Sequence, residues 1–388
     1  MRFILKKYFQ QFGLVGLVVL FTCFGAFAQK QVNESFPKGF LAANIKTVDS
    51  LVNNFMVKYH VPGLSFSIAQ NDTLKIQRSY GYADRVLKQL MDPAKRFRIA
   101  SISKPFTATA IMLLVERRKL NLQDKIFGVN ALLGTTYGSQ PYKKWVTDIT
   151  VENLLEHLGG GWGNNDSDPM FQHPEMSQAQ LIGRTLDSQL LEHEPGTHYQ
   201  YSNFGFCLLG RVIEKVSGMK YEAFVQKNIL QPCGIKDMEI GGNTLPERKL
   251  NEVYYYDKEE DPYTMDQRRM DSHGGWIATP TDLVKFLVRV DKFPQKADIL
   301  KPATLDAMFA APAINPGYAK GWAVNNANNY WHNGSLPGQQ SIAVRTHEGF
   351  CWAVMVNTRT GGNFGPDLDQ LMWKIRYAII QWPAAERG

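Results

Sequence analysis

Cysteine is scarce in this chain of 388 residues: Cys23, Cys207, Cys233 and Cys351 are the four, and no two stand as C-x-x-C. That spacing argues against a disulfide framework and against a thiolate zinc site, and leaves the cysteines as small buried hydrophobes or, at most, one bridge. Other marks are also missing. There is no H-E-x-x-H, no G-x-S-x-G and no G-x-x-x-x-G-K-[ST], so a zincin, an α/β-hydrolase elbow and a P-loop enzyme lose their usual signatures. His193 and His198 flank Pro195 and Gly196, which spoils a helical metal pair. The net charge of +7 is spread out, with "ERRK" at 116–119 the densest basic run. Without a basic stripe interleaved with aromatics, nucleic acid is not an expected partner. No metal or other cofactor is expected, and no internal repeat or low-complexity linker divides the chain.

What is present begins with a leader pattern. Arg2, Lys6 and Lys7 precede the uncharged stretch Gly13 to Ala28, which ends in "AFAQ". A basic n-region, an apolar h-region and small residues before Gln29 predict a signal peptide over 1–28, with an uncleaved anchor as the alternative. The apolar run is shorter than the ~20 residues of a spanning helix. The expectation is an exported, periplasmic or secreted protein formed by 29–388, with no membrane span after cleavage. Hydrophobic content of 44% and charged content of 20% suit a globular domain with a sizeable core.

Periodicity then orders the chain. "FLAANIKTVDSLVNNFMVKY" has apolar residues at helical spacing, and "GLSFSIAQ" and "LKIQRSYGYAD" read as two strands joined by "NDT". "FTATAIMLLVERRKL" is apolar nearly all round and predicts a helix buried on several sides. "VENLLEHL" reads as a short helix after Thr150, and capping patterns open "QAQLIGRTLDSQLLEH" and "PTDLVKFLVRVDKF"; "GFCLLGRVIEKVSG" and "YEAFVQKNIL" are further helices. "GYAKGWAV", "NYWHNG", "QQSIAVRT" and "FCWAVMVN" return to strands before a last helix, "LDQLMWKIRYAIIQ". Strands at both ends and helices between them predict an α/β (α+β) fold. One antiparallel sheet is built from N- and C-terminal strands and flanked by helices, with a helical region inserted at roughly 101–300. Segments 135–148 and 257–269 are expected as loops bordering the cleft.

The chemistry centres on S-x-x-K. Residues at i and i+3 share a helix face, so Lys104 can reach the Ser101 hydroxyl, and burial among apolar residues pushes a lysine toward the neutral form that accepts a proton. The spacing recurs at Ser35–Lys38 and Ser217–Lys220, where Pro37 and Gly218 interrupt it. The competing reading of Ser101 is a helix cap. Tyr201-Ser202-Asn203 is the one Y-x-N in the chain; its phenol can relay a proton, and its amide can both donate and accept. Lys-Thr-Gly and Lys-Ser-Gly are absent, while His-x-Gly occurs at His157, His273, His332 and His347. Only His332 falls on an expected strand followed by small residues.

With "FRIASISKPFTATAI", "PGTHYQYSNFGF", "SHGGWIATPTDLVKF" and "WHNGSLPG" in that order, the chain resembles the serine beta-lactamase and penicillin-binding-protein-like hydrolases. More narrowly, it resembles the class C beta-lactamase-related group, which includes D,D-peptidases, D-aminopeptidases and esterases. The resemblance implies an α/β sandwich beside a helical region, and an acyl-enzyme on Ser101 with Lys104 and Tyr201 moving protons. It also implies substrate binding by Asn203, His332, Gly334 and Ser335, with the Ser101 and Ser335 N–H groups as oxyanion hole and His332 in place of the family lysine. A small molecule or short peptide is then the expected partner: a beta-lactam, a D-amino-acid peptide or an ester. "HLGGGW" departs from the family's His-Thr-Ser-Gly. The rival function is a penicillin-binding or cell-wall-fragment sensor that does not turn over.

Overall fold

The computed structural model describes residues 41–379 and 382; the leader assigned to 1–28 lies outside them. The elements run α1 (Ala42–Tyr59), β1 (Gly63–Gln70), β2 (Thr73–Asp84), β3 (Gln89–Leu90), β4 (Phe97–Arg98), α2 (Ser103–Glu116), α3 (Val151–Leu155), α4 (Gln178–Ser188), α5 (Asn203–Ser217) and α6 (Tyr221–Val225). They continue with β5 (Glu239–Ile240), α7 (Gln267–Gly274), β6 (Trp276–Ala278), α8 (Pro280–Leu287), α9 (Pro302–Phe309), β7 (Ala323–Val324), β8 (Tyr330–Leu336), β9 (Gln339–Arg345), β10 (Phe350–Val356) and α10 (Phe364–Ala378). The main sheet has the order β3-β2-β1-β10-β9-β8-β7, so the first and last strands of the chain meet at its centre, with Leu64 opposite Val356 and Gln70 opposite Phe350. A small second sheet, β4-β6-β5, is set within the helical part.

Strand period decides the layers. Every residue of β10 is buried, and successive side chains of a strand face opposite sides. Phe350, Trp352, Val354 and Val356 pack with Val48, Val52, Phe364, Leu368 and Met372 of α1 and α10. Cys351, Ala353 and Met355 face the larger core, which includes Phe106, Ile111, Leu283 and Phe286 of α2 and α8. The β1–β2 turn places Asn71 and Asp72 at φ 47° and 62°, the left-handed pair that a tight hairpin needs and that Asn and Asp tolerate. Cys207, Cys233 and Cys351 are buried and unbridged. Among the described residues, no helix is long and apolar enough to cross a membrane.

Three elements end earlier than their pattern suggests, α4 and the strand because the backbone finds a tertiary partner and α8 by a local tightening of its last turn. α4 stops at Ser188, and the chain turns so that the Glu192 and His193 N–H groups donate to the Gly160 carbonyl at 2.9 Å each. α8 stops at Leu287, where the Arg289 N–H closes a tighter turn on Phe286 O. "GYAKGWAV" pairs as a strand only at Ala323–Val324, since Lys320 and Gly321 donate to Met308 and Leu155 carbonyls instead. Segment 135–148 packs on α4, with the Ser139 N–H on Asp187 Oδ1 at 2.6 Å; it contributes nothing to the cleft described below. In 257–269, Pro262–Thr264 forms a single 3-10 turn, and Glu260 and Met265 do line that cleft.

Candidate active site

Ser101 sits in a 3-10 turn, Ala100–Ile102, immediately before α2. α2 begins at Ser103 with no side-chain cap, so Ser101 does not serve as the helix cap. Pro105 falls in the first turn, where a helix has no use for the N–H that proline lacks. Ala100 holds φ at 47°, a left-handed conformation that costs a non-glycine residue about 1–3 kcal/mol. The turn is held from β8: a Cβ on Gly334 would lie 2.1 Å from the Ile99 carbonyl oxygen, so only glycine lets the strand approach the backbone beside Ser101 this closely.

Lys104 is fully buried. Its Nζ lies 3.0 Å from Ser101 Oγ, 2.8 Å from Asn203 Oδ1 and 2.9 Å from the His273 carbonyl oxygen. Burial pushes the amine down to about 7 from an ordinary 10.5, against the opposing pull of Asp168. The two carbonyl oxygens can only accept. In the neutral amine they therefore take its two hydrogens, and the third direction, a lone pair, points at the serine hydroxyl.

Tyr201 closes the other side. Its ring lies 4.8 Å from Lys104 Nζ, and Ser101 stands near enough to its hydroxyl to favour the phenolate against burial. Burial raises the phenol well above its ordinary range, so it stays protonated. What holds it is the segment that departs from the family pattern. The His157 ring packs 4.1 Å from the Tyr201 ring, and its Nδ1 accepts the Ser202 N–H at 3.0 Å. The Ser202 hydroxyl donates to the Trp162 carbonyl and accepts the Gly205 N–H, starting α5. The Asn164 N–H binds the Tyr201 carbonyl at 2.7 Å. Residues 157–164 thus zip along 200–203, and the leucine and glycines of "HLGGGW" serve packing. Gly160, at φ 88°, leaves no room for a Cβ against the His193 carbonyl.

Ser101, Asn203 and Ser335 line one cavity of about 410 Å³ with Ala100, Asn164 and Phe171. Its mouth is charged: Arg359 Nε lies 3.4 Å from Asp257 Oδ2, and the same guanidinium pairs with Glu260. Gly334 and His332 are not among the lining residues. His332 is buried beneath, with Nδ1 2.7 Å from the Asn333 carbonyl oxygen and Nε2 3.1 Å from the Tyr318 hydroxyl. The carbonyl fixes the proton on Nδ1, and Tyr318 donates to Nε2. Burial, aided by Lys104, pushes this imidazole down to about 3. His332 is therefore neutral throughout the physiological range, rather than partly charged as its ordinary value suggests, and offers no cation to a substrate carboxylate.

Two residues passed over in the sequence complete the polar core. Asp168, buried, accepts the Asn203 amide hydrogen on Oδ2 at 2.8 Å and the Met170 N–H on Oδ1 at 2.9 Å. Asn164 Oδ1 lies 3.2 Å from the same amide nitrogen. Asp before Pro169 signals a turn or helix start, and nothing local to it points at Lys104.

A serine held against a buried, neutralised lysine, with a tyrosine beside both, is the arrangement of a serine hydrolase with an amine base. The beta-lactamase family model matches residues 48–376, and the chain belongs to that family of serine hydrolases. It is 26% identical over 326 residues to penicillin-binding protein 4* of Bacillus subtilis (strain 168), covering 77% of this chain and 68% of that protein. It is 25% identical over 304 residues to protein flp of Staphylococcus aureus (strain MW2), covering 76% of this chain but only 59% of that one. Among solved structures, D-amino acid amidase from Ochrobactrum anthropi SV3, complexed with L-phenylalanine amide, superposes with a TM-score of 0.71 at 24% identity over 87% of this chain and 98% of that chain. The octameric penicillin-binding protein homologue from Pyrococcus abyssi gives 0.67 at 24% identity over 85% and 77%. At this identity the structural likeness speaks for the fold.

Proposed function

We propose that the protein is an exported hydrolase that cleaves an amide, peptide or ester bond through an acyl-enzyme on Ser101. The observation that carries the reading is the Lys104 amine, whose two hydrogens have carbonyl acceptors and whose remaining direction meets Ser101 Oγ at 3.0 Å. Ser101 gives its proton to Lys104 as Oγ attacks the substrate carbonyl carbon, forming the acyl–oxygen bond. The Ser101 and Ser335 N–H groups receive the developing oxyanion. Tyr201 donates its proton to the leaving amine or alkoxide as the scissile bond breaks, and recovers one from the Lys104 ammonium. Water then repeats the sequence in reverse on the acyl-enzyme, returning the carboxylic acid and free Ser101.

Neutral His332 favours substrates without a carboxylate at that position, so amino-acid amides and simple esters rank above beta-lactams and peptides ending in a free carboxylate. The D-amino acid amidase whose structure this chain resembles was solved with L-phenylalanine amide, a compound without a carboxylate. The test is a fluorophosphonate probe followed by intact mass, on wild type and Ser101→Ala, with turnover measured on D-amino-acid amides, p-nitrophenyl esters, nitrocefin and D-Ala-D-Ala peptides. The expected result is one adduct, lost in the folded variant, with turnover of amides or esters. Undiminished labelling of Ser101→Ala would refute the assignment of the nucleophile. A stable acyl adduct with no product from any substrate would replace hydrolysis by the sensor reading.

A further inference from the structure

The Asn203 side chain stands between Lys104 and a carboxylate that takes no part in the steps above. Its Oδ1 receives the amine at 2.8 Å, and its Nδ2 gives hydrogens to Asp168 Oδ2 at 2.8 Å and to Asn164 Oδ1. An amide can sit either way round unless a neighbour discriminates oxygen from nitrogen. A carboxylate that only accepts does so. Rotated by half a turn, Asn203 would aim its own hydrogens at Lys104 and take away the acceptor that directs the lone pair toward Ser101.

We propose that Asp168 is a positioning residue for the Lys104 base, fixing the orientation of Asn203 and serving as counter-charge to the ammonium formed when Ser101 loses its proton. The surroundings leave this role to it. Around the amine stand His157 following α3, Tyr201 before α5, His273 on α7 and His332 on β8. Burial holds the three imidazoles neutral and the phenol protonated. Among the described residues, Asp168 is the charged group that acts on Lys104, and it raises the amine against the effect of burial. The influence is mutual: burial lifts Asp168 to about 6, while Asn203, the Met170 N–H and Lys104 pull it back. Because the carboxylate also caps the 3-10 turn Pro169–Phe171, a purely structural role is the alternative to be separated.

The inference rests on the acyl-enzyme reading, and the experiment is a pH profile of kcat/KM for an uncharged p-nitrophenyl ester on wild type and Asp168→Asn. Active enzyme needs Lys104 neutral and Asp168 ionised. The wild-type acidic limb should therefore approach a slope of two in log kcat/KM below about pH 6, where each group takes up a proton. In Asp168→Asn the limb should show a slope of one and move down by about one pH unit, because the ammonium has lost its counter-charge. Plateau kcat should fall about tenfold or more, since the base is weaker and Asn203 is free to turn. A limb unchanged in position and slope, whatever happens to Tm, would leave Asp168 a turn cap and overturn the proposal. Should Asp168→Asn not fold, the wild-type profile decides: a slope of one throughout overturns it. Failure of the probe to label wild-type Ser101 is a different result, which removes the acyl-enzyme itself.

Discussion

Lys104→Met tests the physical premise of the site, that the fold holds a lysine without its charge. An unfolded lysine keeps its proton up to its ordinary 10.5, whereas in the folded state it is lost at about 7. Below about 7, confining the ammonium therefore costs about 5 kcal/mol, at 1.36 kcal/mol for each pH unit between the two values. Replacing the lysine removes that cost but strands Asn203 Oδ1 and the His273 carbonyl, each a loss of about 1–3 kcal/mol. These contributions are of similar size, so stability at pH 7 alone says little. The pH dependence discriminates. From about 7 to 10.5 the unfolded chain holds one proton more than the native one, so wild-type stability gains from Lys104 as pH rises, by up to about 1.4 kcal/mol per pH unit. Methionine has no such slope. Urea denaturation of both proteins at pH 7.5 and 9.5 should show the difference, wild type minus variant, growing by about 2–3 kcal/mol; tyrosines and cysteines that titrate in this range are common to both and cancel. A difference independent of pH would mean that Lys104 keeps its proton in the fold, and Ser101 would have no base.

Gly334→Ala drives a methyl into the Ile99 carbonyl, and either β8 or the Ser101 turn must move. A loss of about 1–3 kcal/mol is expected in chemical denaturation, together with a fall in the rate of Ser101 acylation; an unperturbed acylation rate would show that β8 does not set the turn. Arg359→Met removes the cation at the cavity mouth and leaves Glu260 there without its partner. KM should fall for amide substrates with a free ammonium and rise for those carrying a carboxylate, with kcat little changed. Equal KM changes for both kinds would refute an electrostatic role for the mouth.

Local periodicity carried the architecture. The alternation in "GLSFSIAQ", the apolar run of "FCWAVMVN", the all-round apolarity of "FTATAIMLLV" and the capping pairs at Ser177 and Thr279 place β1, β10, α2 and the starts of α4 and α8, because each depends on residues within a few positions of one another. The Ser101–Lys104 pair was legible for the same reason, being three residues apart. What the tertiary structure alone decided is everything that sums over distant neighbours. It ended α4 where a carbonyl from another segment claimed the backbone, sank His332 out of the cavity and stripped its charge, and confined Gly334 to packing against Ile99 rather than lining the site. It also joined Asp168 to Lys104 through Asn203, residues spread over a hundred positions of chain. A side chain's identity is written in sequence, but its protonation and its partners depend on the water and charges around it, and those arrive only when remote segments pack together.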